Sequence, residues 1–170
     1  MKPLKLEGRA WKAAIDDIDT DMIFHNSVLH ITERDEMAPH TFGNLEGWKD
    51  FPQKAKTGDV LVVGKNFGCG SSRQQAVDCF LALGVTVVVG ESFGAIYKRN
   101  AINAGLPLVE APGLFDGDFA FESGDTLSVD FESGTITNTK TGKVFEARPM
   151  HEVQRAIYLA GDLFAYGKTL

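Results

Sequence analysis

Apolar residues change their spacing several times along this chain, and each change predicts a different element. Residues 4–15 alternate loosely, with Leu6, Ala10 and Trp11 apolar among polar neighbours, which predicts a first strand running into a loop. Residues 59–64 (DVLVVG) and 85–90 (VTVVVG) are short, almost wholly apolar, β-branched runs, the pattern of strands covered on both faces. Between them, residues 74–83 place Ala76, Val77, Phe80 and Leu81 on one helical face before Gly84, a good left-handed stop. Strand, helix and strand in about 30 residues form the βαβ unit of a parallel sheet. A second helix is expected at 93–104, capped by Ser92, with Phe93, Ile96, Tyr97 and Ala101 inward and Gly105 ending it. Residues 106–110 read as a third short strand.

Past Pro112 the texture turns to alternation. Residues 126–131, 135–138 and 143–147 are separated by the turn pairs Ser133-Gly134 and Thr141-Gly142, which predicts a meander of hairpins. Pro149 then opens a last helix over 150–160, with Val153, Ala156, Ile157 and Ala160 on one face, Gly161 as its stop, and a tail containing Leu163 and Phe164. The fold class is α/β: a central parallel βαβ with antiparallel β additions, in one domain over residues 1–170. Residues 25–57 stand apart. Their short apolar runs, Val28-Leu29 and Ile31, lie among polar and breaker residues, which predicts a mobile loop near a site, since long irregular segments in compact domains are usually functional or disordered. His30 and His40 lie in it, where a surface histidine is the ordinary outcome.

Composition removes several function classes. A net charge of -6 over 170 residues leaves no basic face for nucleic acid. No apolar run approaches the roughly 18 to 20 residues of a membrane span, and no signal peptide opens the chain, so the cytoplasm is the expected location. Two cysteines, Cys69 and Cys79, are too few to hold a zinc ion or an iron–sulfur cluster unaided.

Candidate chemistry gathers at residues 64–73, GKNFGCGSSR, between the first buried strand and the helix that follows. Such a turn lets backbone N–H groups converge at a positively polarised helix start, where an anion is the natural guest, with Ser71, Ser72 and Arg73 placed to hold it. The plainer alternative is that Ser71 or Ser72 only caps the helix. Arg73 weighs against it, because a guanidinium in a first helical turn opposes the dipole and wants a carboxylate or phosphate. The turn is not a Walker loop, since no Gly-Lys-Ser/Thr follows the required spacer. A dinucleotide fingerprint is nearer, with Gly68-x-Gly70 after a strand and Glu91 about 20 residues on, but Arg73 occupies the third glycine position. A serine elbow would need a second glycine that is absent here. Upstream, residues 16–21 carry four aspartates in six positions. The cluster is either a solvated turn or a site in which Asp21 orients or relays a proton. Its spacing does not fit a calcium loop.

Taken together, Asp19-Thr20-Asp21, the run from Gly64 to Arg73, Ser92-Phe93, and Arg99-Asn100-Ala101-Ile102-Asn103-x-Gly105-Leu106-Pro107 resemble the small subunit of isopropylmalate isomerase. Sister homoaconitase small subunits and the swivel domain of aconitase share the pattern, which covers about residues 8–165. The resemblance implies a swivelling β/β/α domain, as in aconitase domain 4, that serves half of a stereospecific dehydration and rehydration. A separate large subunit would carry a [4Fe-4S] cluster and the small subunit would close over it, with a di- or tricarboxylate as substrate and no nucleic acid or membrane involved. By motif position, Ser71 resembles the serine whose alkoxide takes a proton from carbon and Arg73 the arginine that clamps a substrate carboxylate. Ser72 would supply a neighbouring hydrogen bond, and Asp21 would help manage the proton of the leaving hydroxyl. The loop that reads the substrate side chain aligns with residues 28–32, including His30 and Thr32. This chain departs from the pattern at Gln74-Gln75, where many relatives carry Glu-His, at Phe24, which replaces a common proline, and at His30. The substrate therefore stays open among isopropylmalate, homocitrate-type acids and smaller methylated malates, with Val28 and Ile31 favouring an alkyl group. A stand-alone nucleotide or anion module is the reading of another class, and self-association of the isolated subunit stays open too.

Overall fold

The computed structural model describes residues 2–170. Its frame is a curled, mixed seven-stranded sheet of order β4-β3-β2-β1-β5-β6-β7. The strands are β1 (Lys5–Ala13), β2 (Val60–Val63), β3 (Val87–Gly90), β4 (Leu108–Glu110), β5 (Thr126–Asp130), β6 (Thr135–Asn138) and β7 (Val144–Glu146). β1 to β4 run parallel and β5 to β7 antiparallel, so the expected α/β class holds. The first strand has a larger part than its loose alternation suggests. Its second half, from Ala10 to Ala13, pairs in parallel with β2, and its first half, from Lys5 to Arg9, pairs antiparallel with β5. One nine-residue strand thus joins the two halves of the sheet.

The apolar runs are explained by burial on both faces. Leu61 and Val63 point into one core with Val88, while Val60 and Val62 point into a second core with Val87 and Val89. The first core is roofed by α4 (Gln75–Leu83) and α5 (Ala95–Ala104), the crossovers linking β2 to β3 and β3 to β4. The second is closed by the antiparallel strands, by Leu114 and Phe121, and by α6 (Glu152–Ala160); α7 (Leu163–Gly167) follows.

Two inward faces differ from the expected ones. α5 starts two residues late, capped at Gly94, because the Ser92 hydroxyl accepts from the Asn66 N–H instead of capping. Tyr97 and Ala101 face the core, and Ile96 is 46% exposed. In α6, Val153 is 48% exposed while Gln154 and Tyr158 are buried. The cause is backbone that needs partners: Gln154 donates to the Leu108 carbonyl of the edge strand β4, and the Tyr158 hydroxyl to the Pro3 carbonyl ahead of β1.

Residues 25–57 are folded rather than irregular. Short helices α2 (Arg34–Met37) and α3 (Phe51–Lys54), with single 3₁₀ turns at Asn26–Val28 and Ala38–His40, join α1 (Thr20–Ile23), which precedes them, in a layer over α4. Aromatic residues hold them: Phe42 meets Phe51 and Phe80 edge-on at 5.3 Å between centroids, and Trp11 meets Phe51 at the same separation. These rings lie too far apart in sequence to show any period, so the segment read as a loop.

One buried charge ties the sheet to this layer. Asp59, 6% exposed, accepts from Arg9 Nη2 at 2.9 Å, Trp11 Nε1 at 2.7 Å and the Lys56 N–H at 2.8 Å. Burial alone would raise its pKa, but these donors outweigh burial and hold it below the ordinary value. Because the folded pKa is depressed, the stabilisation is fully present above the unfolded carboxyl range near pH 4 and fades as pH falls through the lower folded value. Asp59→Asn should cost about 2 kcal/mol at neutral pH and flatten that acid limb, as read by urea unfolding at several pH values.

Candidate functional site

The glycine-rich turn is held between two other segments as if it were a strand. On one side, Gly68 N–H donates to Ile18 O at 2.7 Å and Thr20 N–H to Cys69 O at 3.0 Å. On the other, Phe67 N–H donates to Ser92 O and Gly94 N–H to Phe67 O. The four aspartates divide between these tasks, each facing its own donor. Asp16 accepts from the Lys65 N–H, Asp17 from Asn66 Nδ2, and Asp19 caps α1 through the Met22 N–H. Asp21 alone turns to the helix side.

Glycine is required where the turn crosses α5. At Gly68, with φ of +80°, an added Cβ would lie 2.2 Å from Tyr97 Cγ, and Tyr97 is itself fixed by donating its hydroxyl to Ala76 O at 2.8 Å. Gly68→Ala should therefore cost on the order of 2–3 kcal/mol, through a left-handed backbone and a rigid overlap, and a thermal melt of the isolated chain measures it.

α4 begins later than expected, at Gln75, with Gln74 as its uncapped N-cap. Ser71, Ser72 and Arg73 precede the helix, so neither serine caps it and the guanidinium does not sit in its first turn. Arg73 instead reaches back to the acidic segment, where Nη1 donates to Asp21 Oδ1 at 3.0 Å and to Phe24 O at 2.8 Å. Its side chain is 12% exposed, against 40% for Asp21. Nε and Nη2 take no partner among the described residues, nor do the backbone N–H groups of Gly70, Ser71, Ser72 and Arg73. The result is one anchored cation whose Nε and Nη2 donors are uncommitted, beside a row of N–H groups with no partner among the described residues.

Asp21 also accepts from the Asn26 N–H at 2.8 Å and from Asn44 Nδ2 at 3.0 Å. The Arg73 hydrogen bond is the main cause of its lowered pKa; slight burial opposes it, and Asn26, His25 and the Arg73 charge add to it. Ser71 is exposed, its hydroxyl unpartnered among the described residues, while its carbonyl accepts from Thr20 Oγ1 at 2.9 Å. Ser72 Oγ accepts from Asn100 Nδ2 on α5. The structure thus brings Asp21, Ser71, Ser72 and Arg73 onto one rim.

His30 and Thr32 are exposed and make no hydrogen bond to this group. Their segment is tied to α4 by Gln75 Nε2, which donates to Leu29 O at 3.1 Å, so one of the two unusual glutamines holds the 28–32 stretch. Val28 instead lines a cleft with His25, Ser27, His40, Gly43 and Asn44, beside Asp21. The sequence reading missed Asn44, which no motif marks. Glu91, the acid a ribose would need, is buried and accepts from the Phe115 N–H, which removes it from any ligand.

A curled mixed sheet whose rim carries the Asp21–Arg73 pair and an exposed serine defines a small swivel-type α/β domain. The chain belongs to the aconitase C-terminal domain family, which its residues 2–112 match. It is 44% identical over 158 residues to the 3-isopropylmalate dehydratase small subunit 1 of Methanopyrus kandleri, covering 93% of this chain and 89% of that one. It is 43% identical over 162 residues to the 3-isopropylmalate dehydratase small subunit of Caldicellulosiruptor bescii, covering 95% and 94%. The crystal structure of 3-isopropylmalate dehydratase from Methanocaldococcus jannaschii superposes with a TM-score of 0.87 at 38% identity, over 97% of this chain and 94% of that one.

Proposed function

We propose that this chain is the small subunit of a two-subunit hydro-lyase of the cytoplasm that interconverts 2- and 3-isopropylmalate by dehydration and rehydration. The observation that carries the reading is the anchored Arg73 with free Nε and Nη2, next to an exposed Ser71 hydroxyl. Relatives over nearly the whole chain, named as small subunits of this dehydratase, supply the substrate class.

In this reading Arg73 takes a substrate carboxylate through its uncommitted edge, a bidentate contact that fixes the acid in the plane of the guanidinium. Ser71 Oγ removes the proton from carbon. The C–H electron pair becomes the new double bond as the hydroxyl departs from the adjacent carbon as water, with its added proton supplied from the partner's side of the site, and on rehydration Ser71 returns a proton to carbon. A serine hydroxyl is far too weak an acid for this in water, so its alkoxide needs the Arg73 charge and the free N–H groups of residues 70–73, with further help from the partner. Asp21 keeps the clamp in place, and with three donors bound it retains about one acceptor position for a hydrogen bond from the substrate hydroxyl before it leaves.

The aconitase-family resemblance implies an iron–sulfur cluster, and this chain's residues do not fit one. Cys79 is buried and its thiol is pushed up to about 12 by desolvation, and burial together with Asp19 and Asp17 raises Cys69. Among the described residues no three His, Cys, Asp or Glu side chains converge as a metal site. We assign the cluster to the large subunit and expect the isolated chain to be inactive.

The test is to purify the chain with an iron–sulfur large subunit and follow the unsaturated diacid by ultraviolet absorption. Substrates are 2- and 3-isopropylmalate, a homocitrate-type acid and a smaller methylated malate. Turnover of the isopropylmalates supports the proposal; an assembled, cluster-loaded pair that dehydrates none of the four overturns it.

A further inference from the structure

The Asp21–Arg73 pair is supported from one side by an exposed residue of the 38–48 segment, and that support has a definite geometry. Asp21 Oδ1 receives both the Asn26 N–H and Arg73 Nη1, whereas Oδ2 receives Asn44 Nδ2 at 3.0 Å and no other protein donor among the described residues. We infer that Asn44 is a positioning residue of the site, fixing the plane of the Asp21 carboxylate and, through it, the direction of the Arg73 guanidinium.

The carboxylate torsion of an aspartate is broad, and a swing about the Cβ–Cγ bond moves both oxygens. Asn44 on Oδ2 therefore opposes that swing together with the two donors on Oδ1. The backbone sets the register for it. Phe42 N–H donates to Ile23 O at 2.7 Å, which locks the residue two before Asn44 to the residue two after Asp21. Phe42 is fully buried, with φ of +59°, and its ring packs on Phe51 and Phe80, so the Asn44 backbone is carried on the aromatic layer rather than on a free loop. Asn44 itself is exposed in the cleft with His25, His40 and Val28. An exposed amide has water available for its hydrogen bonds, so removing it opens no cavity and strands no buried group. Its loss should act on the clamp and not on the fold.

The kinetic part of this inference rests on the hydro-lyase reading, so the experiment has one arm that does not. Asn44→Ala removes the donor, and Asn44→Asp keeps the shape while replacing the donor with an acceptor and a second negative charge. In the first arm, the Asp21 carboxyl is titrated by carbon-13 NMR in the full chain without partner. The charges that face Asp21 are Arg73 and His25, unchanged in both variants. The Asp21 midpoint should rise toward the ordinary carboxylate value in both, and further in Asn44→Asp. In the second arm, the variants are assembled with the large subunit. For Asn44→Ala, KM should rise about tenfold, as for loss of one charge-assisted hydrogen bond, with kcat within about twofold. An Asp21 midpoint that stays at the wild-type value in both variants overturns the inference, and so does a shifted midpoint with an unchanged KM. If the wild-type pair dehydrates no substituted malate, the proposed function fails, and the titration alone then decides whether Asn44 fixes Asp21.

Discussion

Ser71→Ala in the assembled pair should lower kcat by about three orders of magnitude, within the range of a lost general base, and leave KM within about threefold. The hydroxyl is exposed and makes no hydrogen bond among the described residues, so no described contact depends on it, and the carbonyl that Thr20 uses remains. A loss of rate is then chemical and not a folding defect. Exchange of the substrate carbon-bound proton with deuterated solvent gives the direct readout, because that step belongs to Ser71. Exchange at the wild-type rate would remove Ser71 from the reaction while leaving the clamp intact.

Arg73→Lys should reduce kcat/KM by about two orders of magnitude, roughly 3 kcal/mol, mainly through KM. Arginine can hold Asp21 Oδ1 and Phe24 O with one nitrogen and still offer two others to a carboxylate. Lysine has a single nitrogen for all of these, so it either stays with Asp21 or leaves it for the substrate. Steady-state kinetics on both isopropylmalates checks this. A lysine variant with wild-type KM would mean that the substrate carboxylate is held elsewhere. The other variants described above act differently: Asp59→Asn should show in the unfolding curve, and Asn44→Ala in KM.

How much of this was legible in the residues varies from element to element. The two buried strands, the helix between them and the hairpins past Pro112 were readable because burial on two faces and sharp turns leave short-range marks. The layer over residues 25–57 was not, because what orders it is contact between Phe42, Trp48, Phe51, Phe67 and Phe80, whose spacing has no period. Ile96 and Val153 were assigned inward by helical spacing, which cannot foresee that Ser92 is taken by Asn66 or that β4 needs the amide of Gln154.

The site divides in the same way. Ser71, Arg73 and Asp21 were named from the glycine-rich turn, the acidic cluster and the resemblance they carry. That Arg73 leaves the helix start to pair with Asp21 is a long-range fact, resting on chain segments about 50 residues apart. Asn44 had no motif at all. The sequence by itself determined the parallel unit, the turn and the kinds of side chain offered to an anion, because those follow from neighbours in the chain. Only the tertiary structure decided which carboxylate meets the guanidinium and which oxygen stays open, because direction in a hydrogen bond is set by backbones that the chain brings together from afar.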